Sequence, residues 1–267
     1  MLKPHRPATD LVVTQDTGPT SSGRLTQSDG RSQRVMPLMR KVEIVHLSPT
    51  HPNHIVDFTR IVPAIPMFED AFAAFARGTL LPTDHGEVAV EDLWPGMKIR
   101  TVDGGMQTLL WRGATVLSSH AKNQDPAMGQ LTRIAADSLG IARPMPDLVL
   151  GPRARLAHRA PGIKVLTGHD VAAIPARDFI DGVNIVALTP PTSVQVYHLG
   201  LAKPHKLVAN GVEVESYHPG PAHLVNLRGE MLDLFLSCFP HIRTLDDFGA
   251  PLMPRLRLND LDLFDVA

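Results

Sequence analysis

With one cysteine, Cys238, among 267 residues, the chain cannot build an internal disulfide framework, and its redox compartment cannot be read from disulfides. No stretch approaches the roughly 20 consecutive apolar residues that span a bilayer, so no membrane-spanning helix is expected. The opening MLKPHRPATDLVV lacks an apolar run long enough for a secretory signal. The expected location is cytoplasmic by default, although non-classical secretion would leave no mark in the sequence. Net charge is lacking too: 26 Lys and Arg against 27 Asp and Glu leave −1, with no basic footprint for nucleic acid. There is no Gly-x-Ser-x-Gly elbow, so Ser118-Ser119-His120 has no hydrolase context.

What the chain does have is 24 prolines and 20 glycines. These are too many interruptions for a helical bundle and suit short strands joined by turns. Thr79–Leu81 and Val88–Val90 read as strands around Thr83-Asp-His-Gly86, and Lys98–Val102 and Gln107–Trp111 read as strands around Asp103-Gly-Gly105. Further strands are expected at Leu148–Leu150, Ile163–Leu166, Asn184–Leu188, Val194–Leu199, Leu207–Ala209 and Val212–Glu215. Asn210-Gly211 is the strongest hairpin signal in the chain. The segment Phe68–Phe75 is too short to assign and fits either a helical turn or an entry strand.

Three regions are expected. Residues 1–60 read as a flexible N-terminal arm, with Thr14–Arg34 rich in small polar residues. Residues 70–220 hold the strands. Residues 221–267 form an extension in which His223–Phe239 places apolar residues around much of one partly buried helix. The core is expected to include Phe75, Leu80, Val90, Leu93, Ile99, Leu110, Trp111, Ile134, Leu148, Leu150, Val165, Ile185, Val196, Leu207, Val212 and Val214.

Several blocks in order resemble the Hint domains of hedgehog autoprocessing proteins and inteins, bacterial subgroup. That family's first block reads Cys-Phe-x-x-Gly-Thr and continues to Val-Glu-Asp-Leu-x-x-Gly-Asp. This chain has Ala74-Phe75-x-x-Gly78-Thr79, then Val90-Glu-Asp-Leu93-x-x-Gly96-Met97. Leu110-Trp-Arg-Gly113, Ile134–Gly140 and Asp147-Leu148 are similar to the subgroup as well. Late in the chain, His205–Ser216 resembles the last block of inteins, and Glu215-Ser-Tyr-x-Pro-Gly220 matches the bacterial pattern. The resemblance implies a mainly β fold, a Hint-type antiparallel β horseshoe, with a short helical C-terminal segment.

It also implies a reaction. In that family a thiol or hydroxyl at the first position attacks the preceding carbonyl. A histidine in a Ser/Thr-Pro-x-His block protonates the leaving nitrogen. Here Ala74 stands at the first position, and Gly151 and Ala154 replace the hydroxyl and the imidazole. Groups that act as a unit lose nearly all effect when one is removed. No catalytic residue is therefore expected, and the function reads as a structural or interaction module. The alternative is an active self-cleaving protein with a non-standard nucleophile. Residual family positions are Thr79, His205, Asn210, Glu215 and Ser216; His205 is expected to make structural hydrogen bonds beside the Asn210-Gly211 turn.

Other groups read as bland. Cys238, within Leu-Ser-Cys-Phe, fits a buried structural cysteine. His158 lies four residues past Ala154, about 13 Å along a strand at about 3.3 Å per residue, too far to replace it. His46, His51 and His54 are weak metal candidates without a partner cysteine. Arg153, Arg155 and Arg159 would share one face of a strand as a solvated basic edge. No cofactor is expected, and a protein partner of unknown identity stays open.

Overall fold

A computed structural model describes residues 38–51 and 54–264. Strands β1 (Met39–Leu47) and β2 (Ile55–Pro63) come first, then helix α1 (Pro66–Asp70) and β3 (Phe75–Ala76). Next are β4 (Leu80–Thr83), β5 (Gly86–Ala89), β6 (Lys98–Thr101), β7 (Gly105–Thr108) and β8 (Trp111–Leu117). After these come β9 (Leu131–Ile134), β10 (Leu148–Leu150), β11 (Arg155–His158), helix α2 (Pro161–Thr167) and β12 (Ala172–Pro175). Strands β13 (Ile185–Leu188), β14 (Val194–Gly200), β15 (Lys206–Ala209) and β16 (Val212–Glu215) precede helix α3 (Glu230–Leu236).

Pairings between these strands are antiparallel, so the fold is mainly β, as the sequence predicts. One sheet runs β13-β9-β10-β3-β14-β8-β1-β2, and the other β12-β11-β16-β15-β6-β4-β5, with β7 on β6. No helix among the described residues is long and apolar enough to cross a membrane.

The β15–β16 hairpin shows sequence dictating geometry. Ala209 pairs with Val212, which leaves Asn210 and Gly211 as the two turn residues, at φ 47° and 85°. Positive φ at both positions is what a tight hairpin needs and what Asn-Gly supplies. Asn210 also joins parts of the fold. Its Oδ1 accepts from the Leu80 N–H at 2.7 Å, and its Nδ2 donates to the carbonyls of Pro146 and Asp147, both at 3.2 Å.

Two clusters carry most of the core. The first gathers Ala74, Phe75, Leu81, Ile99, Leu148, Ala154, Leu207 and Val214 between the sheets. In the second, Val42 and Ile44 of β1, Phe68 and Phe72 near α1, and Phe235 and Phe239 near α3 surround Trp111 and Tyr217. The Trp111 indole N–H donates to the Cys238 carbonyl at 2.8 Å, which meets the polar need of a fully buried ring. Truncating such a ring costs about 3–5 kcal/mol.

The structure corrects three expectations. The irregular arm does not extend to residue 60: β1 and β2 form a hairpin whose β1 also pairs with β8, because Val42, Ile44 and His46 alternate inward. Residues 1–37, including Thr14–Arg34, lie outside the described residues. Ile163–Leu166 is helical within α2, and Val165 is 71% exposed, not core. Pro161 opens that helix and Gly168, at φ 75°, closes it, a pairing that marks helix ends. The expected C-terminal helix is shorter, seven residues, because Gly229 at φ 53° sits immediately before it. Leu80 and Leu110 are half-buried, and apart from Val165 the rest of the expected core is buried. The ambiguous Phe68–Phe75 stretch contains both forms, the end of α1 and the start of β3.

Candidate functional site

Strand β3 is only two residues long but central, paired with β10 through Phe75 and Leu150 and with β14 through Phe75 and Tyr197. It therefore carries Ala74 to the middle of its sheet, between β10 and β14, where the Ala74 N–H donates to the Tyr197 carbonyl at 2.9 Å. The 151–154 turn meets it through backbone. The Gly151 N–H donates to the Ala74 carbonyl at 2.7 Å, and the Arg153 N–H donates to the Ala73 carbonyl at 2.9 Å. The Ala154 N–H closes the turn on the Gly151 carbonyl at 3.2 Å.

Sequence reasoning aligned Ala74 with Gly151 and Ala154, and the structure brings them together. What they present to each other is apolar. Ala74 and Ala154 are buried in the same hydrophobic cluster. An amide N–H on the Ala73 carbonyl can polarise it, but polarisation without an attacking atom breaks no bond.

The chain just before this junction is pinned by charge. Glu69 of α1 is buried between Arg40 of β1, at 2.8 Å, and Arg153, at 2.7 Å. Arg153 also reaches Asp125 at 3.1 Å and Asp70 at 3.5 Å, and Arg155 reaches Asp70 at 3.0 Å. Burial lowers the Arg155 guanidinium pKa, but the carboxylates of Asp70 and Glu215 outweigh it and raise the pKa above the ordinary arginine value. The expected solvated basic edge is thus absent at Arg153 and Arg155. Strand β11 begins only at Arg155, so Arg153 lies in the turn and points inward, while Arg159 pairs with Glu213 at 2.9 Å.

Glu215 and Ser216, at the end of the late block, are also buried. The Ser216 Oγ accepts from the His205 N–H at 2.9 Å, and the Ser216 N–H returns to the His205 carbonyl at 2.9 Å. Glu215 pairs with Arg255 at 3.3 Å, and the Thr79 hydroxyl donates to the Ala76 carbonyl at 2.8 Å. His205 does not stand by the Asn210-Gly211 turn as expected. Its Nδ1 lies 2.9 Å from Asp103 Oδ2, beside the β6–β7 turn, because Leu207 pairs with Thr101 and brings the two loops together. Gly104 is needed there, since a Cβ would fall 2.5 Å from the His205 ring.

One imidazole beside the junction was missed by sequence reasoning. His198 of β14 is buried with its ring 5.8 Å from Phe75 and 5.3 Å from Tyr217. Its Nδ1 accepts from the Leu199 N–H at 3.1 Å. Burial first, then the positive charges of Arg155 and Arg255, push its pKa down to about 3. It is a poor proton donor near neutrality. The signal available was its alternation with Val196 and Gly200 along a strand, which places it on one face but not beside position 74.

The remaining candidates separate. His46 is buried in β1 with Nδ1 3.0 Å from the Leu47 carbonyl, while His51 and His54 are exposed in the following turn, ring to ring at 6.4 Å. Among the described residues no three His, Cys, Asp or Glu side chains are grouped to hold a metal. His158 packs its ring 5.1 Å from Phe179. Cys238 is buried, and that burial raises its thiol pKa to about 12.

Three comparisons bear on this site. A family model described as the Hint domain matches residues 73–221, more than half of the chain. No curated protein matches it. Among solved structures, the solution structure of a bacterial intein-like domain from Clostridium thermocellum is similar, at 13% identity and a TM-score of 0.38, over 55% of this chain and 99% of that one.

Proposed function

The chain belongs to the Hint-domain family, and we propose that it is a member that no longer cuts its own backbone and serves as a structural or interaction module. The observation that carries this reading is Ala74. A methyl group, fully buried, occupies the position from which the family's nucleophile would act. Ala154, in the opposing turn, offers no proton, and Cys238 is committed to a different cluster.

The flanks support the same reading. Ala71, Phe72 and Ala73 are buried ahead of the junction, and Tyr217, just past Ser216, stacks on Phe239 at 5.0 Å. Both neighbouring segments are thus part of the core instead of departing cargo. Glu215-Ser216, in place of a His-Asn pair, supports the bacterial subgroup, in which Asn cyclisation is not used.

Intact mass after expression and long incubation, with and without an added thiol, tests the proposal. The expected result is a single species at 29.1 kDa in both. A fragment beginning at Ala74 would overturn it.

A further inference from the structure

The open edges of the two sheets are not alike. Along β12 the C-terminal segment covers the strand. The Ala173 N–H donates to the Pro254 carbonyl at 2.9 Å, and the Leu256 N–H donates to the Ala173 carbonyl at 3.2 Å. Strands β5, β7 and β13 are four residues each, and short edge strands offer little to pair with. β2 differs from all of these. It is nine residues long, ends its sheet, and pairs with β1 alone, in unbroken register and without a bulge.

The direction of its free groups follows from its ends. The Ser48 N–H donates to the His54 carbonyl and the Ala64 N–H to the Leu38 carbonyl, so even-numbered residues bond toward β1. Peptide groups alternate along an antiparallel strand, so Ile55, Asp57, Thr59 and Ile61 turn their N–H and C=O outward. Among the described residues nothing pairs with them. No proline or lysine, the residues that blunt an edge, lies between 55 and 62. Arg60 is the one charge on the core-side face of β2, and its guanidinium lies over the Phe58 ring of its own chain at 5.0 Å.

The strand is also complementary to itself. Two identical strands meeting antiparallel about a twofold axis set one residue opposite its own copy. An axis through Asp57 would set carboxylate against carboxylate, and one through Arg60 guanidinium against guanidinium. An axis through Thr59 or Ile61 brings Pro63, which has no N–H, into the ladder. An axis through Phe58 avoids all of these. Ile55 then falls opposite Ile61, Val56 opposite Arg60 and Asp57 opposite Thr59, and each outward N–H and C=O from Ile55 to Ile61 has a partner. Ile61 is 65% exposed and Ile55 37%, so the pairing covers apolar surface that a single copy leaves in water. Phe58, half-buried against the aromatic cluster, meets Phe58 of the second copy, a favourable cross-strand pair.

We propose that two copies of this chain associate edge to edge through β2, antiparallel, on a twofold axis through Phe58. One strand edge is a small contact, so the pair forms and parts with concentration. Strands β14, β8 and β1 separate this edge from β3, and the contact does not depend on whether the chain cleaves itself.

Sedimentation velocity of the full chain from about 1 to about 500 µM, a range suited to weak contacts, tests this. The mass should rise from 29.1 kDa toward twice that value. Thr59→Pro removes an outward N–H and no bond to β1. That variant should keep its folded circular-dichroism spectrum and associate at least about tenfold more weakly. Thr59→Lys places an ammonium opposite Asp57 of the second copy, whereas Thr59→Asp places a carboxylate there. The Lys variant should therefore self-associate at least about tenfold more tightly than the Asp variant. A single copy at every concentration, parent-like association of a folded Thr59→Pro variant, or equal association of the Lys and Asp variants would each overturn the proposal. So would growth past two copies, because a twofold contact closes on itself.

Discussion

Gly151 approaches Ala73 so closely that a Cβ on the glycine would lie 2.3 Å from the Ala73 carbonyl oxygen. The neighbour is backbone, held by the Arg153 N–H, so it cannot swing away as a side chain would. The 151–154 turn is therefore closed on the chain before position 74 in a way that excludes a hydroxyl-bearing residue at 151 without movement.

This gives the first prediction. Gly151→Ala forces an overpacked contact in the core, which costs about 1–3 kcal/mol. Urea unfolding should show a lower midpoint with an unchanged slope. A variant as stable as the parent would mean that the two turns are looser than this contact requires.

The sequence made part of this site visible. Asn210-Gly211, with strands on either side, specifies its hairpin through positive φ, and the structure places the turn there. Ala74, Gly151 and Ala154 could be aligned because motif spacing survives when the reacting groups are gone. The rest depended on contacts that spacing does not encode. Ile163–Leu166 is as apolar as a strand, and only the flanking Pro161 and Gly168 mark it as helix. The β1–β2 hairpin was obscured by the polar segment before it, although Val42, Ile44 and His46 carry the alternation. Arg153 read as a solvated edge because Glu69 and Asp125, its partners, lie 84 and 28 residues earlier.

The second prediction concerns Glu69. Its carboxylate is held between Arg40 and Arg153, with 2% of the side chain exposed. Glu69→Gln keeps the shape and removes the charge, leaving Arg40 buried without its ion-pair partner. Arg153 retains Asp70 and Asp125. Removing one member of a buried pair costs about 3–5 kcal/mol, and the surviving partners of Arg153 place this case at the lower end. Chemical denaturation should read a loss of about 3 kcal/mol, and limited proteolysis should cut faster near α1. If stability stays within about 0.5 kcal/mol of the parent, the network does not pin the segment before Ala74.

The third prediction follows from His198. Its folded pKa is depressed from 6.5 to about 3, by burial and then by Arg155 and Arg255. The unfolded chain therefore binds a proton at this residue where the folded chain does not. The stability tied to neutral His198 is complete above pH 6.5 and is lost as pH falls from there toward about 3. One such group contributes about 1.4 kcal/mol per pH unit inside that window. His241, driven down to about 4 mainly by burial, and His218, lowered mainly by burial, act in the same direction. His198→Phe keeps an aromatic ring against Phe75 and Tyr217 and leaves the Leu199 N–H without its acceptor, a fixed cost that does not vary with pH. Urea unfolding free energies measured from neutral pH down to about pH 5 should then fall less in the variant, by about 2 kcal/mol over that range. An identical slope in the two proteins would place the proton on other groups and show that the imidazole beside position 74 is accessible to water.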